Sequence, residues 1–271
     1  MKIAFWSPTP FAGRKSTHLL LFALQTILLE GGEQLVLHTD AEGSGPEHFL
    51  LSGSKRNRMM EKKEFGVELL AKVLHCERGS KEAIVNASYT FAEGRLHILP
   101  SGSKRFYQEK EAAEEVHTII RYAEKEFKNV WIELPAGNSE FASKVLEAVD
   151  CVVVNLAQSP WEIGIIEELP RFQNVFCVFG AYEQRNIYTV NNLKLLFPEL
   201  RGRCAAIPYD EELLAACCKG ELEKVWIRES GKRETGDAAD FYRGTERAFL
   251  KWKEGHKNEV GESVTGKERN G

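Results

Sequence analysis

No apolar run in this 271-residue chain approaches the roughly 20 residues of a membrane-spanning helix, which points to a soluble globular protein. Cys-x-x-Cys is absent. The six cysteines (Cys76, Cys151, Cys177, Cys204, Cys217, Cys218) are scattered, so they suggest neither a zinc ligand set nor a dithiol redox pair. Cys151 and Cys177 fall in apolar strand-like runs, where a reduced buried thiol is the ordinary state, and a reducing cytoplasm fits best. A basic surplus is lacking too. The formal charge of −4 and pI near 6.1 give no general attraction to nucleic acid. The cluster Lys55-Arg56-Asn57-Arg58 is expected to be a solvated loop. The first residues are not expected to be a signal peptide, since one lysine precedes only four apolar residues before Ser7-Pro8-Thr9-Pro10. His38, His75 and His117 are dispersed and suggest neither a metal site nor a triad.

Short apolar runs recur instead, at Ile3–Trp6, Leu35–His38, Leu96–Leu99, Val130–Glu133, Cys151–Leu156, Val175–Phe179 and Cys204–Ile207. Helical patterns separate them. This alternation predicts a doubly wound α/β fold, with a mostly parallel sheet and helices on both faces. The first helix is expected over about Leu19–Leu29, and Gly31-Gly32 stops it before the second strand. Glu111–Phe127 and Ser139–Val149 carry apolar residues at helical spacing. The stretch from Ala41 to Ser80 is less regular, a loop leading into a helix over Phe65–Leu74. Trp161, after Ser159-Pro160, is expected to pack. One domain over residues 1–253 and a disordered tail over 254–271 are predicted.

The chemistry centres on Lys15-Ser16-Thr17, between the first strand and the first helix. Free N–H groups and the helix dipole attract anions there. The nucleotide-phosphate loop needs Gly-x4-Gly-Lys-Ser/Thr. Here the two glycine positions hold Thr9 and Arg14. In a functional loop Lys15 would neutralise phosphates, Ser16 would ligate magnesium and Thr17 would contact a phosphate. An ordinary helix start, with a hydroxyl cap, is the structural alternative. Arg14 narrows the approach that glycine leaves open, and Pro10 removes a donor. Asp40 and Glu133 end the second and fourth of these runs at the carboxyl edge, where ligands bind in such sheets and an acid can order water. Glu133-x3-Gly137 repeats an Asp-x-x-x-Gly switch with an acid longer by about 1.5 Å. Residues 240–253 form a basic helix whose aromatic face either packs on the domain or lies on an anionic membrane.

The order of these segments carries a resemblance. Lys15-Ser16-Thr17, Leu35–Asp40, Val130–Gly137, Val152–Gln158 and Ala206-Ile207-Pro208-Tyr209-Asp210 together resemble the MinD/ParA class of deviant P-loop ATPases. More narrowly, Met1–Ser7, Asn86-Ala87-Ser88 and Arg95–Pro100 resemble the CpaE/TadZ-like proteins encoded with Flp/Tad pilus genes in Firmicutes. The resemblance implies an ATP- and magnesium-dependent dimerising domain that positions pilus assembly and secretion proteins at the inner face of the membrane or the cell pole. It implies nucleotide binding by Gly13, Arg14, Lys15, Ser16, Thr17 and Pro208, magnesium on Ser16, and catalytic acids at Asp40 and Glu133. It also marks departures. The signature lysine falls at Pro10, and Ala181 replaces an adenine-reading Asn. The chain is therefore expected to be a weak or inactive ATPase. A slow, functional ATPase and a ParA-like DNA-partitioning factor are the alternatives, the last opposed by the acidic balance.

Overall fold

The computed structural model describes residues 1–10, 14–41, 45–52, 66–76, 79–171, 174–230 and 242–255, without the side chains of 169–171 and 229–230. The basic cluster at 55–58, Gly13, and the tail from 256 lie outside the described residues. The strands are β1 (Lys2–Trp6), β2 (Gln34–His38), β3 (Tyr89–Phe91), β4 (Leu96–Leu99), β5 (Asn129–Glu133), β6 (Cys151–Leu156), β7 (Val175–Tyr182) and β8 (Cys204–Pro208). They form one eight-stranded sheet in the order β3-β4-β2-β5-β1-β6-β7-β8. All the pairings are parallel except β3 with β4. The expected doubly wound α/β architecture is what is found.

The alternation of side chains explains why the strands read as continuous apolar runs. Ala4, Trp6, Leu35, Leu37, Val130 and Ile132 face one core. Ile3, Phe5, Val36 and Trp131 face the other. Both faces are covered, so no position along a central strand can be polar without a partner. Gln34 shows the exception. Its Oε1 accepts Asn129 Nδ2 and Trp131 Nε1, each at 3.0 Å.

Helix α1 (Lys15–Glu30) covers the second core and starts earlier than its apolar stripe. Its end is set by Gly31, at φ 65°, whose N–H bonds Ile27 O at 3.1 Å. Positive φ is costly for any side chain with a Cβ, which suits glycine to this position.

Of the two readings of the C-terminal helix, packing on the domain is the one found for the aromatic face over 242–255. Phe249 and Trp252 are buried, with ring centroids 5.6 Å from Phe22 and from Trp131 respectively. The stripe that would enter lipid instead caps α1 and the sheet; Phe241 lies outside the described residues. Conversely, Trp161 does not pack: it is 87% exposed. The short antiparallel edge strand β3 was not legible as a strand at all.

Removing the Trp252 ring should leave a cavity between α1 and β5. We expect Trp252→Ala to lower the unfolding free energy by about 3–5 kcal/mol, measured by urea denaturation.

Candidate functional site

β1 lies in the middle of the sheet and feeds the turn before α1, so the first residues of α1 sit above the carboxyl ends of β1, β2 and β5. Lys15 is the first residue of α1 and is 8% exposed. Its Nζ donates to Leu134 O and lies 3.5 Å from Asp40 Oδ2 and 3.7 Å from Glu133 Oε1. Ser16 Oγ donates to the same Glu133 oxygen at 2.5 Å. Four of the expected residues, Lys15, Ser16, Asp40 and Glu133, therefore converge. Glu133 Oε2 is buried without a hydrogen-bond partner.

Backbone bonds hold this arrangement. Thr39 N and Oγ1 both donate to Glu133 O, at 3.0 and 2.7 Å, and so tie the ends of β2 and β5. Leu134 N bonds Phe5 O at 3.0 Å, Gly137 N bonds Ser7 O at 3.0 Å, and Trp6 Nε1 bonds Gly137 O at 2.8 Å. The segment after β5 is thus fastened along the end of β1. Gly137 takes φ 78°, the conformation that makes a glycine useful there.

The remaining expected residues do not join the cluster. Arg14 sits at φ 54°, ψ 42°, in the left-handed region, and its guanidinium lies 4.8 Å from the Tyr209 ring centroid. The Thr17 hydroxyl is hydrogen-bonded to Cys217, whose thiol pKa burial nevertheless pushes up to about 11. Pro208 ends β8, three strands from β1 in the sheet order, against the backbone of Gly244.

Sequence reasoning missed several neighbours. Thr9 Oγ1 donates to Glu162 Oε1, and Glu162 Oε2 accepts Ala157 N at 2.5 Å, so a buried carboxylate braces the turn before Lys15. His18, one turn beyond Lys15 on α1, is buried and contacts Asn155 Oδ1 through Nδ1 at 2.9 Å. The i+3 spacing from Lys15 was the only available signal for His18; nothing local marks Glu162.

The electrostatics are acidic. One ammonium faces two carboxylates, and behind them stands the pair His38–Glu47, with Nδ1 and Oε2 3.5 Å apart but without hydrogen-bond geometry. Burial alone would lower the His38 pKa; Glu47, Glu133 and Asp40 outweigh it and hold the pKa above its usual value. Burial would raise Glu47, but His38 and His48 hold it down at about 2. Among the described residues no group of three His, Cys, Asp or Glu side chains could hold a metal ion. Magnesium in a phosphate site does not need one, since it keeps waters and takes one or two protein oxygens. Ser16 Oγ and the unpartnered Glu133 Oε2 fit that requirement.

No protein-family profile and no curated protein sequence matches the chain. Solved structures do. A ParA family ATPase from Chlorobium tepidum aligns at TM-score 0.70 and 14% identity, over 92% of this chain and 98% of that one. MinD in the MinC:MinD cell division complex of Aquifex aeolicus aligns at 0.62 and 14%, over 92% and 95%. A plasmid partition protein of Borrelia burgdorferi bound to AMPPNP aligns at 0.61 and 16%, over 92% and 98%. The chain therefore has the fold of the MinD and ParA ATPases.

Two measurements probe the cluster. Lys15→Ala leaves Glu133 and Asp40 without their buried cation and should cost about 3 kcal/mol of stability. Adding Glu133→Gln should recover part of that loss, as a double-mutant cycle by denaturation would show. His18 gives a pH signature, because burial lowers its pKa to about 4. The unfolded chain binds this proton near 6.5 and the folded one does not. Stability should therefore fall as pH drops from about 6.5 to 4, with His18 costing about 3 kcal/mol in full. His18→Gln should flatten that slope in a pH series of melts.

Proposed function

We propose that this chain is a degenerate MinD/ParA-type protein, of the CpaE/TadZ kind, acting in Flp/Tad pilus assembly or positioning with weak or no ATP hydrolysis. Residues 1–253 act as its one domain. The observation that carries the loss of activity is the backbone at Arg14. A residue with a Cβ at φ 54° costs about 1–2 kcal/mol over glycine. The backbone at position 14 has a conformation suited to glycine, and the Cβ that stands there narrows the phosphate approach even with the guanidinium turned to Tyr209. Ala181 repeats the pattern at φ 48°. Asn tolerates that region more readily than Ala, and Asn is what the resemblance puts there.

Support for the pilus role comes from the ordered motifs at Met1–Ser7, Asn86–Ser88 and Arg95–Pro100. In this reading the working contacts are with pilus assembly and secretion proteins and with a second copy, at the cytoplasmic face of the membrane or the pole. Lys15 and Ser16 serve mainly to hold Glu133, and Asp40 serves to balance Lys15.

A slow ATPase is the second reading, favoured by the convergence of Lys15, Ser16, Asp40 and Glu133. In that case Lys15 clamps phosphate, Ser16 ligates magnesium, and Asp40 or Glu133 orders water. The AMPPNP bound to the Borrelia burgdorferi structure lends this reading support by analogy of fold. DNA partitioning is disfavoured by the net charge of −4.

Calorimetric titration with Mg-ATP and a [γ-³²P]ATP hydrolysis assay separate the readings. The wild type should show no heat at micromolar protein and no turnover above background. Arg14→Gly should bind at least 10-fold more tightly than wild type. Turnover by the wild type that disappears in Lys15→Arg would overturn the inactive reading in favour of the slow ATPase.

A further inference from the structure

The helix Ala112–Glu126 turns Val116, Ile119, Ile120 and Ala123 into the first core and a polar stripe away from it. Two clefts open along that stripe. One, of about 250 Å³, has Ala71 and Leu74 of the helix Val67–Cys76 as its floor and Glu111, Glu114, Glu115 and Thr118 along its rim. The other, of about 150 Å³, is lined by Arg121, Tyr122 and Lys125. Acids thus fill one half of the stripe and bases the other. Little within the chain neutralises them. His75 Nε2 lies 3.1 Å from Glu115 Oε1, and Arg121 Nη2 donates to Thr118 Oγ1 at 3.1 Å. Glu111, Glu114, Arg121 and Lys125 enter no ion pair among the described residues, and Glu124, next to Lys125, is taken by Lys2 at 3.2 Å. The arrangement is symmetric about Thr118. Glu115 and Arg121 stand three residues to either side of it, Glu114 and Tyr122 four, and Glu111 and Lys125 seven. Three, four and seven are the separations that share one face of a helix.

We propose that this stripe binds the same stripe of a second copy, antiparallel and across a two-fold axis through Thr118. Charge selects the occupant. A two-fold axis makes a patch face itself, so each residue meets the one equally far on the other side of Thr118. Glu115 then faces Arg121 and Glu111 faces Lys125, each pair formed twice, and no like charges of the stripe are opposed. Parallel helices would set acid on acid. The Tyr122 hydroxyl comes to Glu114, and its ring lies over Leu74 in the larger cleft. Antiparallel helices also bring their dipoles into a favourable arrangement. Exposed ion pairs are individually worth little, so the dimer is weak and sensitive to salt. The stripe is the outer surface of a helix packed on the sheet's face, not on its carboxyl edge, and the inference is independent of whether ATP binds.

Sedimentation velocity of the full chain without nucleotide tests it. At micromolar concentration in low salt a monomer–dimer equilibrium should appear. Raising the salt to about 1 M, where the Debye length is about 3 Å, should weaken it at least 10-fold. The all-basic variant Glu111→Lys/Glu115→Lys and the all-acidic variant Arg121→Glu/Lys125→Glu should each be monomeric with unchanged far-UV circular dichroism. Mixed in equal amounts, they should form a heterodimer. Thr118→Cys leaves every charge in place and puts two thiols on the axis. Diamide should therefore join two copies through that position, as peptide mass mapping reads, and this decides alone if a reversed variant does not fold. No dimer in low salt, a dimer that either reversed variant keeps, or no heterodimer on mixing overturns the proposal. So does a Thr118→Cys chain that crosslinks only through the exposed Cys76 or Cys218.

Discussion

Glu133 is the residue on which the site depends. It ends the strand beside β1, its carboxylate is almost wholly buried, and it collects Ser16 Oγ and the Lys15 ammonium on one oxygen. A carboxylate at such depth needs a partner. Lys15 and Ser16 supply the partner, and the Leu134 carbonyl and Asp40 in turn satisfy Lys15. Each group is held in place because its removal strands another charge. That reciprocity fixes the register between α1, β5 and the end of β2, and it keeps the first turn of α1 in place.

The backbone and the side chains therefore tell different stories. Positive φ at Arg14 and Ala181 is a conformation that glycine or asparagine adopts at little cost, yet arginine and alanine stand there. The surrounding bonds over-determine the turn. Ser7 Oγ donates to Thr9 O at 3.0 Å, Thr9 is braced by Glu162, and α1 is anchored below by Phe5, Phe22 and Trp131. Strain of this size persists only where packing compels it.

Legibility followed the same division. The seven long strands could be read because burial on both faces leaves uninterrupted apolar runs, and Lys15, Ser16, Asp40 and Glu133 could be read because helix starts and strand ends are where a parallel sheet gathers polar groups. What failed lacked a local signature. β3 is three residues long and alternates buried Tyr89 with exposed Thr90. Trp161 follows a helix cap, where an aromatic looks the same whether it turns in or out. Glu162 reaches Thr9 across 153 residues of sequence, and the diversion of Arg14 to Tyr209 and of Thr17 to Cys217 depends on elements close only in space. The aromatic face at residues 242–255 was ambiguous for a related reason. An apolar stripe says that something is covered, and only the sheet and α1 say by what.

Charge explains why a crowded turn would matter so much here. In an electropositive cradle an intruding side chain could be offset by attraction to a polyanion. In this cluster the one ammonium is already matched by two carboxylates. A phosphate chain approaching Lys15 meets a locally acidic surface, so its binding must come from backbone N–H groups and from a cation that it brings with it. Backbone donors act only at contact distance. A side chain at position 14 acts on that distance directly.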